Sequence, residues 1–235
     1  MKTTAALSLV IALLSTAAWS GRAATYSDAT GEGSILTAQP HLDITSVEVN
    51  NNATALTFKI NLAGSPIATD WGKYLIGIDS APGGDPTGNG WGRPIGMSSG
   101  MDYFVGSWAD SGNGAEIRNW TGSAWNLQSA TYNPNPDSLS ISKDASSVTL
   151  MFNFAGLGMT AGSSFLFDVY TTGGGGSDSA IDALGNAAQT VANWNDPYNS
   201  GANVRSYPAI PEPTTGLLLA AGLGLMALCR RGNNR

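Results

Sequence analysis

The sequence predicts an all-β protein: a single antiparallel β-sandwich domain between an N-terminal signal peptide and a C-terminal hydrophobic helix. Three observations point there. The 235 residues include 30 glycines and many Ser, Thr and Asn, and no long segment repeats its apolar residues at helical spacing. Short runs alternate apolar and polar side chains instead. Turn-forming clusters separate these runs at intervals of about 8 to 15 residues, as in a sandwich.

Taken in order, Met1 to Ala23 reads as a secretion signal. Lys2 supplies the positive start and Ala5 to Ala18 the apolar stretch, and small residues then permit cleavage after Ser20 or Ala23. The body follows over residues 24–206. Ile44 to Val49 and Leu56 to Leu62 alternate as a first hairpin. Asn50-Asn51-Asn52 between them tolerates the left-handed backbone of a tight turn. Further strands are predicted at Lys73 to Asp79, Met101 to Trp108, Ala115 to Trp120, Ser138 to Ser142, Ser147 to Phe154 and Ser163 to Thr171. Ala81 to Gly92, Asp110 to Gly114, Asn133 to Asp137 and Gly173 to Asp178 read as turns, and Ser179 to Ala187 as a short helical or irregular turn. The four glycines 173–176 are a loop tip, not a phosphate cradle, because no Lys-Ser/Thr and no helix pattern follows. The Pro-rich residues 207–215 read as a spacer, and 216–235 as a membrane-crossing helix with a basic tail.

The body carries 16 acidic and 6 basic residues over positions 25–210, a balance of −10 that argues against a nucleic-acid partner. The single cysteine, Cys229, lies in the tail, so core packing or bound ions must stabilise the body without a disulfide.

Few residues suit covalent chemistry. His41 is the only histidine, so neither a Ser/His/Asp nor a Cys/His set can be assembled, and His41 reads as an exposed or loosely packed residue. Zinc, which draws on several His or Cys ligands, is disfavoured. A pair of carboxylates suffices for glycoside hydrolysis, and Asp79, Asp102, Glu116 and Asp168 fall on or beside strands, but no spacing selects a pair. No cofactor is expected. Calcium remains open, with Asp79, Ser80, Asp85 and Asn89 as one set of oxygen donors and Asp110, Asn113 and Glu116 as another.

The aromatic residues are more informative. Trp71, Trp91, Trp108, Trp120 and Trp125 fall within 55 residues, beside Tyr74 and Tyr103. An indole face packs on the apolar face of a pyranose, while Asp, Asn, Gln or Arg bonds the hydroxyls. Trp91 sits in a glycine-rich loop followed by Arg93. Trp71 precedes a strand, and Trp125-Asn126 follows the turn after Trp120. Trp91, Trp71, Arg93 and Trp125 are therefore the candidate carbohydrate-binding residues, with Trp108 and Trp120 assigned to the core.

The carboxyl end combines Pro211-Glu212-Pro213, an apolar run from Gly216 to Leu228, and Arg230-Arg231. The prolines hold an extended segment, the run makes a helix short of the roughly 20 residues of a full span, and the arginines favour the cytoplasmic interface. This tail resembles the PEP-CTERM sorting signal of Gram-negative bacteria. The resemblance implies a sorting helix at 216–235, processing by an exosortase, transient inner-membrane contact, and delivery to the cell surface or an exopolysaccharide matrix.

The body is similar to DOMON and family 9 carbohydrate-binding modules. The similarity rests on Lys73 to Asp79, Gly90-Trp91-Gly92-Arg93, Asp102 to Trp108 and Trp120 to Trp125. It implies a two-sheet antiparallel fold that binds sugars, with haem disfavoured because only His41 could ligate it. The sequence thus reads as an exported, non-enzymatic protein that binds extracellular polysaccharide through exposed tryptophans. The alternatives are a structural or interaction protein of the matrix without a ligand site, and a carboxylate-based glycoside hydrolase.

Overall fold

Side chains alternate across a strand, so the apolar positions of each run fix which way it faces. The computed structural model describes residues 23–110, 112–160 and 162–209. The expected signal residues 1–22, the Pro211-Glu212-Pro213 motif and the helix at 216–235 lie outside the described residues.

Two antiparallel sheets are formed. Sheet one contains β1 (Ala23–Ser27), β2 (Ile44–Asn51), β3 (Ala55–Leu62), β9 (Ser140–Lys143) and β10 (Ser147–Asn153), in the order β1-β2-β3-β10-β9. Sheet two contains β4 (Lys73–Asp79), β6 (Tyr103–Trp108), β7 (Gly114–Trp120), β8 (Trp125–Ala130), β11 (Ser164–Thr172) and β12 (Asp182–Ala183), in the order β12-β11-β4-β6-β7-β8. A further strand, β14 (Arg205–Pro208), pairs with the first half of β11, and β12 with the second half. Two-residue strands β5 (Ile95–Gly96) and β13 (Tyr198–Asn199) pair in parallel. One helical turn, α1 (Ser34–Ala38), precedes β2.

The sheets share one core. Val47, Val49, Leu56, Phe58, Ile60, Val148, Leu150 and Phe152 from sheet one meet Tyr74, Ile76, Ile78, Val105, Ile117, Phe165, Phe167 and Val169 from sheet two. Phe58 lies 5.3 Å from Phe167 edge-on and 6.0 Å from Phe152 in a stack, and each such ring contributes about 1.5–3 kcal/mol through burial.

Sheet two is also covered on its other side. Leu75, Phe104 and Tyr170 point outward and pack under Ile95, Met97 and Met101 from the segment before β6, with Ala180 and Ala183. A strand buried on both faces needs no polar face, which is why Tyr74 to Ile78 carries almost no polar residue.

Several local expectations shift. β1, β8, β12 and β14 complete the sheets. The segment 179–187 contains β12 instead of a helical turn, because Asp182 and Ala183 pair with Thr171 and Tyr170. Ala23 already belongs to the body, pairing with Asn50, and the body extends past residue 206. Tyr207 is fully buried, its ring 5.6 Å from Phe165 and its hydroxyl donating to Asn51 Oδ1 at 2.7 Å, so the spacer cannot begin there. None of Asn50, Asn51 and Asn52 takes a positive φ. The turn is closed by the Asn52 side chain, whose Oδ1 accepts from the Thr54 and Ala55 amides at 2.9 and 2.8 Å.

Candidate functional site

The outer face of β6, β7 and β8 is set by the partners of Val105, Ala115 and Ile117. Those three face the core, so Phe104, Gly106, Trp108, Glu116, Arg118 and Trp120 face outward. Two positions on this face, Gly106 and Gly114, must be small. A Cβ on Gly106 would lie 2.4 Å from the Trp91 ring, and one on Gly114 would lie 1.9 Å from the Trp108 ring. The bare backbone of β6 and β7 is therefore the seat on which both indoles lie.

The loop before β5 delivers Trp91 to that seat. Buried Asn89 organises it: Nδ2 donates to the Arg93 and Ile95 carbonyls, each at 2.8 Å, and Oδ1 accepts from the Trp91 amide at 3.0 Å. Trp91 then donates Nε1–H to Glu116 Oε2 at 3.0 Å. Glu116 Oε2 also accepts from Arg118 Nε at 2.9 Å, and Tyr132 donates to Oε1. Burial pushes the Glu116 carboxyl up, but the bonds from Tyr132, Trp91 and Arg118 outweigh it and hold the pKa below the usual value. Trp125 donates Nε1–H to Asp85 Oδ2 at 2.9 Å.

The result is a row of neighbouring rings. Tyr132 and Trp108 are 6.4 Å apart, Trp108 and Trp91 6.3 Å, Trp91 and Phe104 5.5 Å, Phe104 and Trp125 6.4 Å, and Trp125 and Trp120 5.6 Å. Phe104 is buried beneath the row, the four indoles are part-exposed, and Tyr132 is 59% exposed. Part-exposed Arg118 and well-buried Glu116 lie among them. Such a surface offers flat apolar faces with charged donors and acceptors between them.

The four residues expected to bind sugar are not brought together. Trp91 and Trp125 belong to the row. Trp71 packs in a separate cluster, 4.5 Å from His41 and 5.9 Å from Trp194. Arg93 is only 6% exposed; its Nη1 donates to Thr172 Oγ1 and the Asp178 carbonyl, each at 3.1 Å, and its guanidinium lies 5.7 Å from the Trp91 ring centre. Burial lowers its pKa, partly offset by Asp178. Arg93 therefore staples the loop to β11. Trp108 and Trp120, expected in the core, lie in the row, since their register places them opposite Val105 and Ile117 in direction. Tyr132 lies two residues past β8, and nothing in the sequence links it to Glu116. His41 is buried, with its pKa lowered by burial, because it packs under Trp71.

Neither expected calcium set converges. Asp85 Oδ1 accepts from the Thr87 and Gly88 amides, Asn89 is fully engaged, and Asp110 is paired with Lys73 at 2.7 Å. Of the carboxylates weighed for hydrolysis, Asp168 is fully buried and accepts from Ser200, Gly185 and Val169. Asp79 lines a shallow depression with Ser80, Pro82, Ser99, Phe165 and Ser206. Its pKa is raised by burial, against a hydrogen bond with Ser99, and raised further by the charge of neighbouring Asp102. Asp102 Oδ2 is held by the Ser80 and Ala81 amides at 2.7 and 2.8 Å.

Residues 209–235 match the PEP-CTERM protein-sorting motif. The match starts at Ala209, the last described residue, which is buried against the sandwich. No curated protein matches the chain. The motif implies recognition by an exosortase and export to the cell surface, so this β-rich body belongs to an exported protein with a PEP-CTERM sorting tail.

Proposed function

We propose that the body is a non-enzymatic polysaccharide-binding module, released at the surface or into the exopolysaccharide matrix of a Gram-negative bacterium after transient contact with the inner membrane. The observation that carries this reading is the row Tyr132–Trp108–Trp91–Phe104–Trp125–Trp120, mounted on a rigid sheet and interleaved with Glu116 and Arg118. An extended row suits a polymer better than a single sugar. Trp120 and Tyr132, at the two ends, are the main stacking surfaces, and Trp91 and Trp125 are held flat by Glu116 and Asp85.

Affinity electrophoresis through gels containing the producer's own polysaccharide tests it. Retardation should fall several-fold in Trp120→Ala and Tyr132→Ala and stay unchanged in Met151→Ala, an exposed residue of sheet one. Unretarded wild-type protein in every polymer would remove the reading. One observation favours a structural or interaction role instead: the indole N–H groups of Trp91 and Trp125 are already used internally. Under that reading the substitutions change stability and leave retardation absent throughout. For the tail, Pro211-Glu212-Pro213 replaced by alanines should leave unprocessed protein in the membrane fraction; normal processing on a blot would refute the role given to that tripeptide.

A further inference from the structure

The polar groups of the aromatic row are one-sided. Both carboxylates that touch it are already occupied. Glu116 Oε2 accepts from Trp91 and Arg118, and its Oε1 from Tyr132. Asp85 Oδ1 accepts from the Thr87 and Gly88 amides, and its Oδ2 from Trp125. The groups left over are donors. Among the described residues, neither Nη group of Arg118 nor the indole N–H of Trp108 or Trp120 makes a hydrogen bond. All three residues are part-exposed.

Arg118 is also held in place. Its register on β7 sets it opposite Phe104, two residues from Glu116 and two from Trp120 on the same face. A Cβ on Gly90 would lie 2.8 Å from the Arg118 Cβ and 2.6 Å from its Cδ, so the stem is clamped under the loop that carries Trp91. Its Nε is fixed to Glu116 at 2.9 Å, and the side chain is 26% exposed. A guanidinium bound at Nε keeps one edge free, the two Nη groups, whose parallel N–H bonds match the two oxygens of a carboxylate. The rotamer freedom that usually weakens an exposed arginine is already lost here. We propose that the row selects a carboxylate-bearing polysaccharide, with uronate or pyruvate-ketal units, and that the Nη edge of Arg118 reads the carboxylate. This rests on the row being the polysaccharide-binding face. Stacking on the rings is indifferent to charge, so Arg118 supplies the discrimination. A polycation finds no open carboxylate on this face. The body as a whole is acidic, but at about 0.15 M salt charges more than about 8 Å away are screened, and the contact at Arg118 decides.

The test is affinity electrophoresis of the full chain in non-ionic detergent, through gels of the producer's polysaccharide before and after reduction of its carboxyl groups to hydroxyls. Wild type should bind the native polymer about five- to tenfold more tightly than the reduced one, the size of a bidentate charged contact at a part-exposed site. Arg118→Gln should lose that preference and bind both polymers as wild type binds the reduced one. Trp120→Ala should weaken binding to both by the same factor. Equal wild-type binding to native and reduced polymer overturns the proposal while leaving the row as a sugar site, and needs no variant to fold. Arg118→Gln weakened equally on both polymers also overturns it, because Arg118 then only supports Glu116 and Trp91. Wild type retarded by neither polymer removes the polysaccharide reading itself, and this proposal with it.

Discussion

Gly106→Ala isolates the geometry on which the aromatic row depends. The added methyl would sit 2.4, 2.6 and 2.8 Å from three atoms of the Trp91 indole. Backbone lies on one side and a ring on the other, so the indole must leave the sheet. It then loses its bond to the Glu116 carboxylate, about 1.5–3 kcal/mol for a charged acceptor. It also loses its edge contact with Phe104, about 0.5–1.5 kcal/mol. The sum is about 2–4.5 kcal/mol, and exposed Phe104 adds to it. Urea unfolding of wild type, Gly106→Ala, Trp91→Ala and the double variant measures this. In the double variant the methyl meets no ring, so adding Gly106→Ala to Trp91→Ala should cost under about 1 kcal/mol. The coupling between the two positions should therefore be about 1 kcal/mol or more. A Gly106→Ala protein within about 0.5 kcal/mol of wild type, or a cycle with no coupling, would show that Trp91 does not lie on the sheet as described.

Two more outcomes follow from the packing. Burial lifts the Asp28 carboxyl from 3.8 to about 7; the Ala29 amide opposes this and the Glu32 charge reinforces it. Folded protein thus holds a proton that the unfolded chain gives up above about pH 4. Stability should fall as pH rises from about 4 to 7, by about 2 kcal/mol once solvent screening at this part-exposed group is allowed for. Asp28→Asn should flatten that part of the pH–stability curve; an unchanged slope would exclude Asp28 as its source. Tyr207→Ala should cost about 3–5 kcal/mol in urea unfolding, because it empties a buried site beside Phe165, whereas a residue in an unstructured spacer would cost almost nothing.

The strands with the clearest alternation were legible from the chain: β2, β3, β4, β6, β7, β10 and β11 all form close to where the pattern puts them. The strands that were missed are short or polar. β12 has two residues and β14 contains a proline, so neither carries a period to read. Both exist because the edge of β11 offers unpaired backbone groups. The tryptophans were legible as a cluster but not as a site. Sequence separation gives no clue that Tyr132 reaches Glu116, or that Arg93 turns away to Thr172.

By itself, the sequence determined the all-β class, the sorting tail and the scarcity of groups for covalent chemistry, because each depends on local pattern or on residue counts. Only the tertiary structure decided which face of sheet two each indole occupies, and that the Ile44 amide reaches the Asp182 carboxylate. Those outcomes depend on strand register and on loops folding back across a sheet, and residues more than 130 positions apart in the chain meet there, as Ile44 and Asp182 do.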